Sequence, residues 1–359
     1  TATHDTKRGE DVRARISVLS DVPAAWAAHV RRWRMINRRF KQDLDGQAAP
    51  DGNDEYLLYQ TLVGAWPAEG DDATGGSLVD RVVRYMEKAT KEAKRRTSWV
   101  NPDTGYDQAL RDFVTRLLSP GSRFVEAFLP FQRLVALYGS VNSLAQTLLK
   151  ITAPGIPDFY QGSELWELSL VDPDNRRPVD FTRRQSFLDE LRRRAGAGPE
   201  TLDRPETLDR PETLDRLCAE LMNSWPDGRV KMYVTHRALT FRRESPPLFR
   251  SGSYDPLSAG GEHAEHLVAL VRRDAAAAVV VVPRLTARLT GFRGQAPLGE
   301  PVWGNTWVSL DRPGLEGVYT DQFTGKRVAT GLRDGIPSLP AGALFGSLPV
   351  ALLKREENP

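Results

Sequence analysis

The densest chemistry in the chain lies between Ile151 and Phe181, which read ITAPGIPDFYQGSELWELSLVDPDNRRPVDF. An apolar stretch meets a Pro/Gly turn and then a crowd of aromatic, amide and acidic side chains, the pattern of a strand that ends at a sugar-binding cleft. Gly155 and Pro157 fix the turn. Phe159 and Tyr160 offer ring faces on which the C–H surface of a sugar can stack, and Gln161 and Glu164 can hydrogen-bond hydroxyls. The same residues also suit a plain core, with both rings buried and Glu164 capping a helix. Beyond them, Asp172-Pro173-Asp174-Asn175-Arg176-Arg177 makes a stiff acidic and basic loop. There Arg176 or Arg177 either walls a pocket through a carboxylate or forms a structural ion pair.

A second segment, Thr3-His4-Asp5-Thr6-Lys7-Arg8-Gly9-Glu10-Asp11, packs charges of alternating sign into a few residues and continues through Arg13 and Arg15. It reads either as part of a site or as the solvated start of a helix with Asp5 as its cap. Other candidates carry less. His263-Ala264-Glu265-His266 lacks the helical frame of a zinc protease, and the 5 histidines of the chain supply no third ligand, so a loop leading into a strand is expected and no metal. Cys218 sits with Leu217 and Leu221 in an apolar helical stretch and reads as buried packing. Lys91, Lys94, Arg95 and Arg96 lack interleaved aromatics and read as a solvated helix face, with no nucleic acid as partner.

Taken together, HDTKRGEDVRARI and PGIPDFYQGSELWELSLVDPDNRRPVDF resemble the alpha-amylase superfamily and, within it, the trehalose-forming maltooligosyl trehalose synthases, whose C-terminal half the chain would be. The resemblance implies a (β/α)8 barrel with His4 and Asp5 at the C-terminal end of its seventh strand, the face where barrels carry their sites. By this resemblance His4 bonds the sugar at the reaction point. Asp5 is the third carboxylate, whose hold on the ring strengthens as an oxocarbenium-like transition state forms. Lys7 and Arg8 would bind the acceptor glucose and its surroundings, and Tyr160, Gln161, Glu164, Asn175 and Arg176 would complete the substrate pocket.

The implied activity is an intramolecular transglycosylation, in which the reducing-end α-1,4 linkage of a maltooligosaccharide becomes an α,α-1,1 linkage without a cofactor. The nucleophile and general acid of retaining enzymes, about 5 Å apart, would lie upstream. The chain alone is then expected to be inactive, with the N-terminal half as partner and a functional link to a trehalohydrolase. Two other readings stand beside this one: a non-catalytic carbohydrate-binding or scaffold fragment, and half of an amylase-like α-glucan hydrolase.

The elements that must position these residues follow from length and periodicity. The 359 residues, 40% hydrophobic and 27% charged with net charge +2, describe a multidomain globular protein with no global pull toward nucleic acid or membrane. One cysteine and the absence of a leader pattern or a long apolar run predict a cytoplasmic location.

Helical spacing predicts helices at 78–93 after a Ser77 cap, at 107–118, at 124–150 and at 183–195. Polar loops are expected at 43–53 and 67–76, and a strand at 149–156. Three copies of Pro-Glu-Thr-Leu-Asp-Arg at 199–216 predict an expanded surface loop. From Tyr254 onward, short apolar runs at 266–271, 279–283, 307–310, 317–321 and 348–353 predict an antiparallel all-β domain.

The fold class expected is thus α/β plus all-β. It divides into residues 1–20 as the end of barrel strand 7 and its helix, and 21–123 as a helical insertion. Residues 124–250 would hold strand 8, its site loop and the closing helices, and 251–359 a β-sandwich.

Overall fold

The structure, a computed structural model, describes residues 2–67, 78–196 and 211–356. Two compact units divide it: one formed by residues 2–139 and 167–178, the other by residues 140–166 and 179–356. Ser77, nearly all of the polar loop expected at 67–76 and the first two hexapeptide copies lie outside the described residues.

The first unit is helical. Its elements are α1 (Glu10–Ser17), α2 (Pro23–Asn37), α3 (Gly52–Ala65), α4 (Leu78–Ala93), α5 (Thr104–Leu117) and the first part of α6 (Arg123–Thr152). Asp51 and Asp103 cap α3 and α5 by accepting backbone N–H bonds. Trp33, fully buried, organises the core, with the rings of Trp26, Tyr59, Phe124, Phe128 and Phe131 at 5.3–5.8 Å centroid separation. Close approach seats α1: a Cβ at Gly64 would meet Val12 Cγ1 at 2.6 Å. A Cβ at Gly139 would run into the buried Arg15 side chain, whose Nη1 donates to the carbonyls of Gly64 and Trp66 at 3.2 and 2.5 Å. Within the loop expected at 43–53, Asp45 and Gly46 adopt positive φ (52° and 79°) and join a hairpin of β1 (Gln42–Leu44) and β2 (Gln47–Ala49). Asp-Gly is the dipeptide that such a turn favours.

The second unit combines the end of α6 with α7 (Phe181–Arg194), α8 (Pro211–Asn223), α9 (Arg229–Glu244) and α10 (Pro246–Arg250), followed by two antiparallel sheets. The larger sheet is ordered β3 (Ser253–Leu257), β5 (Leu267–Arg273), β6 (Ala277–Pro283), β12 (Ala351–Arg355), β8 (Val318–Asp321) and β9 (Arg327–Ala329). The smaller is ordered β10 (Gly331–Arg333), β11 (Ile336–Pro340), β7 (Thr306–Ser309) and β4 (Ala259–Gly261). Val279, Val281, Tyr319 and Leu353 of the first meet Val308 and Leu339 of the second in one core cluster with Trp303 and Phe345. Every residue of β6 is buried, which is why its sequence AAVVVVP shows a continuous apolar run rather than alternation. Among the described residues every strand pairing is antiparallel and no barrel is closed.

Two expectations are corrected. The strand expected at 149–156 is helix as far as Thr152, because Leu144, Leu148 and Ile151 continue the buried stripe of α6 and no described strand lies alongside to complete a ladder. Thr152 Oγ1 caps this end by donating to Leu148 O at 2.8 Å. The third hexapeptide copy, 211–216, is not a loop but the start of α8. Its proline falls in the first turn, where a missing N–H is harmless, and Leu214 joins Leu217, Cys218 and Leu221 as a buried stripe.

Candidate functional site

The segment from Thr3 to Gly9 is held within the helical unit from several sides. Thr3 and Thr6 close a turn, with Thr3 N donating to Thr6 Oγ1 at 2.7 Å and Thr6 N to Thr3 O at 3.1 Å. His4 and Asp5 stand out from that turn, His4 Nε2 lying 3.3 Å from Asp5 Oδ2, with side chains 57% and 86% exposed. Asp5 caps no helix, since α1 begins five residues later behind Gly9. Asn175 Nδ2 donates to His4 O at 2.8 Å. Arg8 forms an antiparallel bridge with Leu170, and Gly9 N donates to Ser169 O at 2.8 Å. Gly9 admits no side chain, because a Cβ there would fall onto the Glu167 carboxylate.

Lys7 and Arg8 diverge from this segment onto α3 and α4. Lys7 Nζ donates to Glu92 Oε2 at 2.9 Å, and that bond holds the ammonium above the ordinary lysine range. Arg8 Nη2 donates to Thr61 Oγ1 at 3.3 Å, and its guanidinium carbon sits 5.9 Å from the Tyr85 ring centroid.

The 170–177 loop is fixed by Asp174, whose two carboxylate oxygens accept Arg81 Nε and Nη2 at 2.9 and 3.0 Å and the Leu170 amide at 2.7 Å. Arg177 approaches the same carboxylate at 3.2 Å, and Lys88 Nζ donates to Asp172 O at 2.8 Å. Beside this lattice Arg81, Arg84, Tyr85, Lys88, Asp174 and Arg177 line a cleft of about 120 Å³. Arg176 turns to Asp172 at 2.6 Å, a local ion pair that leaves Asn175 as the residue of the loop bonded to the His4 backbone.

The other three candidates belong to the second unit. Ser163 closes a turn on Tyr160 O through its amide and hydroxyl at 3.1 and 2.6 Å, and Gln161 is exposed at its edge. Glu164 accepts from Arg184 Nε at 3.1 Å, while Arg184 Nη2 donates to Gly162 O at 2.8 Å. Tyr160 is half-buried. Phe159 lies under the Lys150 ammonium at 3.8 Å from its ring centroid, so neither ring is core. Glu164 caps no described helix.

The structure thus brings His4, Asp5, Lys7, Arg8 and Asn175 into one segment and its braces, and gathers Tyr160, Gln161 and Glu164 on one turn. Sequence reasoning missed Thr61, Arg81, Tyr85 and Glu92. Glu92 lies 85 positions from the lysine it binds, and no spacing rule connects them. Among the described residues no group of three His, Cys, Asp or Glu could hold a metal ion, and no helix is long and apolar enough to cross a membrane.

No family model matches the chain. It is 36% identical over 361 aligned positions to a Mycobacterium tuberculosis protein provisionally named maltooligosyl trehalose synthase, covering 99% of this chain and 37% of that protein. Among solved structures, the maltooligosyltrehalose synthase of Arthrobacter ramosus superposes with a TM-score of 0.70 at 32% identity, covering 99% of this chain and 38% of that one. A hypothetical maltooligosyl trehalose synthase of Sulfolobus tokodaii superposes with 0.67 at 30% identity, covering 99% and 38%. The chain is therefore similar, over nearly all of its own length, to the C-terminal part of these synthases, and spans well under half of theirs.

Proposed function

We propose that this chain contributes the C-terminal part of an enzyme that isomerises the reducing-end α-1,4 linkage of a maltooligosaccharide to an α,α-1,1 linkage. The observation that carries the proposal is the 36% identity over 99% of the chain, in which the segment bearing His4 and Asp5 is tied to the DPDNRR loop by Asn175 and to the residues just before it by the Arg8–Leu170 bridge and the Gly9–Ser169 bond. In this reading the exposed Asp5 is the carboxylate that favours oxocarbenium development, and His4 bonds the same sugar. Lys7 and Arg8, braced by Glu92 and by Thr61 and Tyr85, hold the glucose that turns over before its anomeric hydroxyl attacks. Water has to be kept out during that turn.

The nucleophile and the general acid come from the portion of the longer relatives that this chain does not span, so the chain alone is inactive. Residues 1–20 and 124–250 then complete a (β/α)8 barrel around the insertion 21–123. The two antiparallel sheets of the C-terminal part form a β-sandwich. The location is cytoplasmic, and a trehalohydrolase consumes the product.

The test is to combine the chain with that upstream region and supply maltopentaose. A trehalosyl product is expected; glucose and maltotetraose alone would replace the isomerase by an amylase-like hydrolase. In the assembled enzyme Asp5→Asn keeps the size of the side chain and removes its charge, so kcat is expected to fall at least about a hundredfold, roughly 3 kcal/mol, with little change in binding.

A further inference from the structure

Trp99 and Val100 occupy the tip of a turn, where glycine, asparagine or proline is usual, and they are 62% and 96% exposed. The turn is rigid. Ser98 N donates to Asn101 O at 3.2 Å, Asn101 N to Ser98 Oγ at 2.9 Å, and Asp103 N to Thr97 Oγ1 at 3.1 Å. Lys91 Nζ lies 4.9 Å from the indole centroid and is itself held by Asp107 at 3.2 Å. The basic cluster read from the sequence as a solvated face is therefore partly structural, since Lys91 covers a ring and Arg96 reaches Asp51 at 3.4 Å.

We propose that Trp99 is a stacking platform for a glucose unit of an α-1,4-glucan, a carbohydrate contact of the helical unit in addition to the Asp5 segment. The class of ligand rests on the function proposed above. The surroundings of the ring favour a sugar over a protein. Along the turn the exposed apolar surface is that of Trp99 and Val100 with the small ring of Pro102, and the flanking Arg95, Arg96, Asn101 and Asp103 are exposed and polar. A stable protein contact needs roughly 1,000 Å² or more with an apolar centre. A pyranose offers one C–H face ringed by hydroxyls, which matches one ring bordered by polar groups. With the turn already bonded and one face of the indole fixed by Lys91, little conformational freedom is lost on stacking.

The experiment is a titration of the 359-residue chain with maltoheptaose, followed by calorimetry and tryptophan fluorescence, for wild type, Trp99→Ala and Trp99→Phe. Wild type is expected to bind in the range of about 1 mM, and Trp99→Ala at least about tenfold more weakly, a loss of about 1.4 kcal/mol. Trp99→Phe, which keeps a flat ring, should stay within about threefold of wild type. No binding by wild type, or equal binding by Trp99→Ala, would overturn the proposal. So would loss of the helical circular dichroism in Trp99→Ala, which would make the ring a structural member. Unchanged glucan affinity with weakened association to the upstream region would identify the tip as a protein contact and overturn it too. Failure of the isomerase reading shows separately, as a missing trehalosyl product, because the titration counts binding and not turnover.

Discussion

Asp174 in the helical unit and Asp321 in the β-rich unit are both withdrawn from solvent, and their surroundings differ. Asp174 is grasped by both arms of Arg81 and approached by Arg177, so its charge is matched by charge. Asp321, 4% exposed, has neutral donors at its carboxylate: Phe323 N at 3.1 Å and Thr324 Oγ1 at 2.7 Å. Burial pushes its carboxyl up to about 6. The first arrangement fastens a loop that must keep Asn175 against His4. The second closes a turn between β8 and β9 and carries no candidate site residue. Paired charge is found where position matters, and unpaired burial where a turn only has to close.

Removing Asp174 should produce the largest effect, because Asp174→Ala strands Arg81, whose side chain is 9% exposed, without its partner. A loss of about 3–5 kcal/mol is expected, read as a lower midpoint in urea unfolding followed by circular dichroism. A loss below about 1 kcal/mol would erase the distinction between the two aspartates.

For Asp321 the pH dependence decides. Its folded value, about 6, lies above the ordinary 3.8, so the folded state holds this proton more tightly and the group's stabilising contribution is present below about pH 4 and lost as pH rises through 6. Asp321→Asn keeps the turn bonds and removes the titration. The stability difference between variant and wild type should grow from pH 4 to above 6, by up to about 3 kcal/mol, and then level off. A flat difference would show that Asp321 has a charge partner after all.

The smallest effect is expected at Glu92→Gln, an exposed partner of Lys7: under about 1 kcal/mol in stability. In the assembled enzyme this variant should raise KM more than it lowers kcat, because Lys7 keeps its charge but loses its brace. An equal fall in kcat and kcat/KM would instead place the pair in the transition state.

Much of the architecture is legible in local pattern. Helices at 78–93, 107–118, 124–150 and 183–195 follow the 3.6-residue period and appear within a few residues of α4, α5, α6 and α7. Strands β5, β6, β7, β8 and β12 fall on the apolar runs from 266 onward; β3 and β11, SYDPL and IPSLP, were missed because polar residues and prolines break their apolar pattern, and β4, β9 and β10 because three residues carry no period. Asp5 was legible as a residue type, and the helix-cap reading left open for it is removed only by seeing α1 begin at Glu10.

What the sequence determined alone is therefore periodicity, turn chemistry and the list of candidate side chains, all of which depend on neighbours within a few positions. Tertiary structure decided which of them meet. Asn175 reaches His4 across 171 positions and Lys7 reaches Glu92 across 85, pairings that depend on how helices stack and leave no local mark. It also decided the fate of residues 149–152. A strand needs another strand to satisfy its backbone groups, whereas a helix satisfies its own, and with no described strand alongside, the apolar residues of that stretch stay in α6.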